Sequence, residues 1–266
     1  MTKLYGVVGD PVSHSLSPVI HNAWIREHGL DATYEALHVP EGEFASGLAS
    51  LEDRQALGLN ITLPHKEAAI VLAEGTSEVA RRIGAANTLV RLKSGGWLAE
   101  NTDAPGFTES LAQANIEIAD QNVCLLGAGG AARAVALALS DMRAALTICN
   151  RTVSRAEEMV KHLNIKADIR DLSQAEAEMG KADLVINTLS LGHTGRTLDF
   201  PEGKLRTFYD ISYGKPARAM LAQAEMAGWK PLDGLGMLVA QAAFSFEMWF
   251  DILPDMQTAL ARCRKL

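Results

Sequence analysis

Cysteine is scarce in this chain, and long apolar runs and a surplus of positive charge are missing. Of 266 residues only three are cysteine: Cys124, Cys149 and Cys263. The number is odd and no CxxC spacing occurs, which points away from a disulfide framework or a paired-cysteine motif. Cys124 and Cys149 sit inside apolar runs, so they read as buried thiols of a protein in the reducing cytoplasm. The seven histidines are scattered. Without HExxH or a Cys/His cluster, no metal site is expected. No segment approaches the roughly 20 apolar residues that cross a bilayer. Asp10 and Pro11 interrupt the start too early for a signal-peptide core. No membrane association is therefore expected. Lys and Arg total 25 against 32 Asp and Glu, a net charge of −7. That balance argues against a general nucleic-acid binder and leaves open local basic sites for small anions.

What is present suits an ordinary folded protein: 48% of residues are apolar and 21% charged. The length allows one large domain or two of common size. The first hundred residues alternate short apolar strands, at 4–8, 33–38 and 57–62, with helical stretches. Ser17 has the chemistry of an N-cap, Pro18 fits the first helical position, and Gly29 can end that helix. Pro64 is read as opening a second helix, running through Lys66 to Gly75. Residues 88–92 and 97–99 flank Ser94-Gly95-Gly96 and predict a hairpin. Residues 108–115 read as helical.

A different module follows. Strands are expected at Asn122–Leu126, 145–149, 167–169, 183–187 and 207–211, with an Ala-rich helix after the first and a charged helix from Ser154. This alternation predicts a parallel sheet with helices on both faces. The tail, 236–250 and 254–262, is helical with no strand left to cover, and is expected to pack back on the first domain. The resulting expectation is an α/β protein of two α/β domains. Residues 1–103, completed by 237–266, form one domain, and 104–236 a dinucleotide-binding domain of the Rossmann type.

Gly127, Gly129 and Ala132 give G-x-G-x-x-A between a strand and a helix. The first glycine allows the tight turn, the second clears space for a pyrophosphate, and the small third residue lets helix and strand pack closely. Helix N-terminal amides then face the phosphates. Gly127, Ala128, Gly129, Gly130 and Ala131 are the expected cofactor loop. At the end of the next strand an NAD enzyme commonly places Asp or Glu. Here stand Asn150-Arg151-Thr152, with Arg155 one helical turn on. Cations at a helix start oppose its macrodipole, whereas guanidinium groups suit a phosphate dianion. The cofactor is therefore expected to be NADP(H) rather than NAD(H).

Four segments outside this module gather polar groups at strand ends: Ser13 through Pro18, Asn60 through Lys66, Gly84 through Thr88, and Asn101-Thr102-Asp103. Each alone has a plain reading as turn, cap or solvated lysine; Asp103, for instance, could simply cap the helix that follows. Together with Gly127 through Arg133, Asn150-Arg151-Thr152 and Gly234 through Gln241, they make seven ordered motifs from end to end. In that order they resemble the shikimate dehydrogenase family. The chain departs from the family pattern at Leu16, where many members have Lys, at Ala99, where Gly is common, and at His65, in place of a frequent aromatic.

The resemblance implies reversible, NADPH-dependent reduction of 3-dehydroshikimate to shikimate, a step of chorismate and aromatic amino acid biosynthesis. It places Lys66 and Asp103 at the catalytic positions, for proton transfer and electrostatic stabilisation; the sequence leaves undecided which is the formal acid. It assigns Ser15 and Ser17, with Tyr213, to the substrate carboxylate, and Thr62, Asn87 and Gln241 to the substrate hydroxyls. It adds Thr188 and Ser190, with Asn187, to the lining of the cofactor site, together with Gly234, and Met237 beside the nicotinamide. The alternative is a quinate/shikimate dehydrogenase or a relative with another ring substrate; such members often use NAD, and Arg151 points away from them. The protein is expected to be cytoplasmic, a monomer or homodimer.

Overall fold

A computed structural model describes residues 2–266. In chain order its elements are β1 (Lys3–Gly9), α1 (Ser17–Glu27), β2 (Ala32–His38), α2 (Phe44–Asp53), β3 (Ala56–Ile61), α3 (Lys66–Leu72), β4 (Gly75–Thr76), α4 (Glu78–Ile83), β5 (Thr88–Arg91), β6 (Trp97–Glu100) and α5 (Asp103–Gln113). Then follow β7 (Asn122–Leu126), α6 (Gly130–Asp141), β8 (Ala145–Asn150), α7 (Val153–Leu163), β9 (Asp168–Asp171), α8 (Ala175–Lys181), β10 (Leu184–Asn187), β11 (Thr207–Asp210), α9 (Lys215–Met226), β12 (Lys230–Leu232), α10 (Leu235–Phe250) and α11 (Met256–Cys263). No described helix is long and apolar enough to cross a membrane.

The chain forms two compact units. One holds the residues up to Gly106 together with Leu238–Leu266; the other is Phe107–Met237. The first is built on a six-stranded mixed sheet in the order β2-β1-β3-β5-β6-β4. β1 pairs in parallel with β2 and β3, and the predicted hairpin, β5 with β6, is antiparallel. Val8, Leu59, Ile61, Leu89 and Trp97 lie in the core of this unit. The C-terminal helices pack against it. On α10, Phe246 packs edge-on against Trp24 and Trp249 lies against Tyr5, while the Trp24 indole donates to the Asp255 carbonyl.

The second unit has an all-parallel sheet in the order β12-β11-β10-β7-β8-β9. Chain order runs outward from β7 in one direction and from β10 in the other. The switch point between them is where open α/β sheets bind ligands. Cys124 and Cys149 are buried and unbridged in this core, with sulfurs 4.0 Å apart.

Several local expectations shift. Ser17 is not the cap of α1: Leu16 holds that position and Ser17 is the first helical residue, ahead of Pro18. The helix expected from Pro64 begins only at Lys66, after His65. Strand β12 was not expected, because Pro231 removes a ladder donor; it survives as an edge strand paired only to β11. Helices α2, α4, α8 and α9 were implied by the strand–helix alternation but not placed; α4 spans only six residues, too few for periodicity to register.

Candidate active site

In the first unit, strand ends and helix starts bring together residues from four distant segments. Lys66 opens α3, and its carbonyl accepts from the Ala86 amide, which ties the lysine to the Gly84–Thr88 segment. His65 anchors the same corner. Its ring stacks on Phe44 at 4.8 Å and its Nε2 donates to the Val39 carbonyl, so histidine serves here as an aromatic with a polar edge. Asp103 begins α5. It does not cap the helix; Asn101 does, its Oδ1 accepting from the amides of Asp103 and Ala104 at 3.0 and 3.3 Å. The Asp103 carboxylate is thereby left for Lys66.

Lys66 Nζ lies 2.5 Å from Asp103 Oδ2, with the two side chains only 13% and 6% exposed. Water competes little for so sheltered a pair, so it interacts far more strongly than a surface ion pair. The other carboxylate oxygen, Oδ1, accepts from Asn87 Nδ2 at 2.8 Å. The orientation of that amide is fixed, because Asn87 Oδ1 accepts from the Thr102 backbone N–H at 2.7 Å, and a backbone N–H can only donate. Gln241 is oriented in the same way. Its Nε2 donates to the Leu238 carbonyl, which turns Oε1 toward Asn87 Nδ2 at 3.2 Å. Lys66, Asp103, Asn87 and Gln241 are thus one hydrogen-bonded cluster.

Ser15 and Ser17 lie at the start of α1 and are bonded to each other: the Ser15 hydroxyl accepts from the Ser17 amide at 3.2 Å. That leaves the Ser15 proton free to be donated. Thr62, at the end of β3, is half-buried, and its amide donates to the Val8 carbonyl. The sequence reading missed Tyr34 and Ser245, which join the buried polar network behind the cluster. Ser245 was detectable in principle, since it follows Gln241 by one helical turn and shares its face.

In the second unit the expected cofactor loop sits at the switch point. Gly127 has φ +113°, and a Cβ there would overlap the Thr188 hydroxyl, so this glycine is required by the fold itself. Gly129 differs: a Cβ there would meet nothing within 4 Å. The protein does not need that side chain to be absent, whereas a closely approaching ligand would. The first intrahelical bond of α6 is from Arg133 to the Gly129 carbonyl, so the preceding amides remain for an anion. Asn187 adds a second sign. Its Oδ1 accepts from the Leu189 amide, while its buried Nδ2 has no partner among the described residues. An orphaned donor beside a glycine-lined opening fits a dinucleotide with many acceptor oxygens.

Other expected cofactor residues have local duties. The Thr188 hydroxyl donates to the Leu126 carbonyl, leaving only its lone pairs for a ligand. Asn150 Nδ2 donates to the Thr152 carbonyl at 2.8 Å and shapes the turn that presents Arg151. Arg151 and Arg155 are exposed at the start of α7. A Cβ on Gly234 would overlap the Ile211 carbonyl, so packing alone demands that glycine. Met237 is buried, Tyr213 half-buried and Ser190 exposed.

Comparison with known proteins agrees along the chain. The shikimate dehydrogenase substrate binding domain matches residues 7–89, shikimate/quinate 5-dehydrogenase matches 110–194, and the shikimate 5'-dehydrogenase C-terminal domain matches 234–261. The shikimate dehydrogenase (NADP(+)) of Hyphomonas neptunium is 57% identical over 266 residues, covering 100% of this chain and 98% of that one. The solved shikimate dehydrogenase of Aquifex aeolicus superposes with a TM-score of 0.89 at 33% identity, covering 99% of this chain and 98% of that one. That of Thermus thermophilus, in complex with NADP(H) and shikimate, gives 0.83 at 33% identity, with 99% of both chains covered. Matched in sequence over its full length and in fold over both units, the chain belongs to the shikimate dehydrogenase family.

Proposed function

We propose that the protein catalyses the reversible, NADPH-dependent reduction of 3-dehydroshikimate to shikimate, and that Lys66 and Asp103 carry the proton chemistry. The observation that supports these roles best is the sheltered Lys66–Asp103 pair, with the carboxylate fixed on its other side by Asn87.

NADPH supplies the hydride when bound. Reducing a ketone also requires one proton, delivered to the oxygen as it takes on alkoxide character. Lys66 carries three N–H donors on a flexible stem. One points at Asp103, and another stabilises the developing oxygen charge and donates its proton to it. Asp103 keeps the ammonium in place and compensates its charge. In the oxidation direction the same lysine takes up the hydroxyl proton. Asn87 and Gln241, already oriented, read ring hydroxyls with Thr62. The hydroxyls of Ser15 and Ser17, with Tyr213, hold the carboxylate.

On the cofactor side, Gly129 and the first amides of α6 hold the pyrophosphate, with Asn187 donating nearby. Arg151 and Arg155 take the adenosine 2′-phosphate, and Met237 packs beside the nicotinamide. We place the enzyme in the cytoplasm, where the unbridged cysteines stay reduced, and as a monomer or homodimer. The test is nicotinamide absorbance with shikimate and with quinate, each with NADP and with NAD. Shikimate with NADP should give the highest kcat/KM. A preference for quinate, or for NAD, overturns the reading.

A further inference from the structure

The Asn87–Asp103–Lys66 line backs onto a set of buried hydroxyl and amide groups that the chemistry above leaves unused. Asn60, Thr88, Thr102 and Ser245 are 4%, 0%, 0% and 0% exposed. Ser245 is their junction. Its hydroxyl donates to the Gln241 carbonyl at 3.0 Å, accepts from Asn60 Nδ2 at 2.8 Å, and lies 2.8 Å from Thr88 Oγ1 and 3.1 Å from Thr102 Oγ1. A serine offers one proton and two acceptor sites. With its proton on the Gln241 carbonyl and one acceptor site taken by Asn60, the other is filled by a threonine hydroxyl, and Thr88 is the nearer.

Those threonines surround the amide that orients Asp103. Thr88 Oγ1 lies 3.1 Å from Asn87 Oδ1, and Thr102 Oγ1 accepts from Asn87 Nδ2 at 2.9 Å. Asn60 is tied down at its far end, where its Oδ1 accepts from the Tyr34 hydroxyl at 2.6 Å. In a dry interior such a network holds one arrangement firmly, because each lost partner leaves a buried polar group unpaired.

We infer that Ser245 is a positioning residue for the reaction: by taking the Thr88 proton it leaves Thr88 Oγ1 to accept from Thr102 Oγ1, 3.2 Å away, and Thr102 to accept from Asn87 Nδ2, which holds that amide on Asp103 and Asp103 aimed at Lys66. Ser245 touches neither reacting group. The inference rests on the proton role proposed for Lys66 and Asp103.

The test measures the oxidation of shikimate by NADP in four variants. Ser245→Ala and Thr88→Val each remove one hydroxyl without adding bulk. Each should lower kcat about fivefold, the worth of one ordinary buried hydrogen bond, and raise the solvent deuterium isotope effect on kcat, because the proton step becomes more limiting. KM for NADP should not change. Thr88→Ser restores the hydroxyl and should recover most of the rate. The control is Ser110→Ala, which removes a buried serine hydroxyl hydrogen-bonded to Tyr209 in the other unit. It should lower Tm and leave kcat and the isotope effect alone. Wild-type kcat in Ser245→Ala, a rate loss without a change in isotope effect, or a Thr88→Ser variant as slow as Thr88→Val overturns the positioning role. A wild type that does not turn over shikimate with NADP overturns the underlying reading as well.

Discussion

The two units gather their candidate residues in opposite ways. The first is crowded with polar side chains that already satisfy one another: Lys66, Asp103, Asn87 and Gln241 meet within hydrogen-bonding distance and are backed by buried hydroxyls. The second offers missing side chains and donors instead: Gly129 faces open space, the amides before Arg133 precede the first intrahelical bond of α6, and Asn187 Nδ2 has no partner among the described residues. One is set in place before any ligand arrives. The other has room and donors for a ligand to use. Substitutions in the first should therefore damage turnover by disordering neighbours, whereas those in the second should damage binding and leave neighbours intact.

The sharpest test of that contrast is Lys66→Ala, for which we expect kcat to fall by roughly 10²–10⁴-fold, the usual range for a general acid–base group. Asp103→Asn, which keeps size and removes charge, should also lower kcat, with KM for NADP little changed in both. Steady-state kinetics that show near-normal turnover would eliminate the pair. On the cofactor side, Arg151→Ala should raise KM for NADP about ten- to a hundredfold, from loss of a charge-assisted contact, and hardly affect NAD. The measurement is the NADP/NAD ratio of kcat/KM, and an unchanged ratio would break the comparison. The effect should shrink in 1 M salt, where the Debye length is about 3 Å.

Ser15→Ala should raise KM for shikimate about tenfold and spare KM for NADP. If Ser15 mattered only through its bond to the Ser17 amide, calorimetry would show a lower Tm and kinetics no change.

The last expected effect is on stability rather than on turnover or binding, and lies in the core of the first unit. His21 is fully buried, stacked on Tyr34 at 4.1 Å, and burial pushes its pKa from 6.5 down to about 3. Asn60 pulls the other way, but neither ring nitrogen has a hydrogen-bond partner among the described residues, so dehydration decides the sign. The unfolded chain binds this proton below pH 6.5 while the folded one stays neutral to about 3. The histidine therefore makes stability fall across that window as pH drops, by about 1.4 kcal/mol per unit. Urea denaturation between pH 6 and 4 should show a shallower decline in His21→Leu than in the wild type. Equal slopes would show that the ring is not held neutral.

Much of this protein was legible in its residues before any folding was considered. Strand β7 could be read to the residue, because five consecutive residues lead straight into a glycine turn. The G-x-G-x-x-A loop, the missing carboxylate at Asn150 and the pair of arginines were likewise legible, because local backbone chemistry and charge are written in contiguous residues. The candidate catalytic residues could be named from motif order. Tertiary structure alone decided what each one touches. Asn101 rather than Asp103 caps α5, Leu16 displaces Ser17 from the cap of α1, and Gly234 answers to the Ile211 carbonyl. Most hidden was the junction at Ser245, whose partners Asn60, Thr88 and Thr102 lie 185, 157 and 143 residues away along the chain. Periodicity reports which face of a helix is buried. Only the folded packing decides which distant hydroxyls share that interior, and there each buried polar group must find its partner because water is absent.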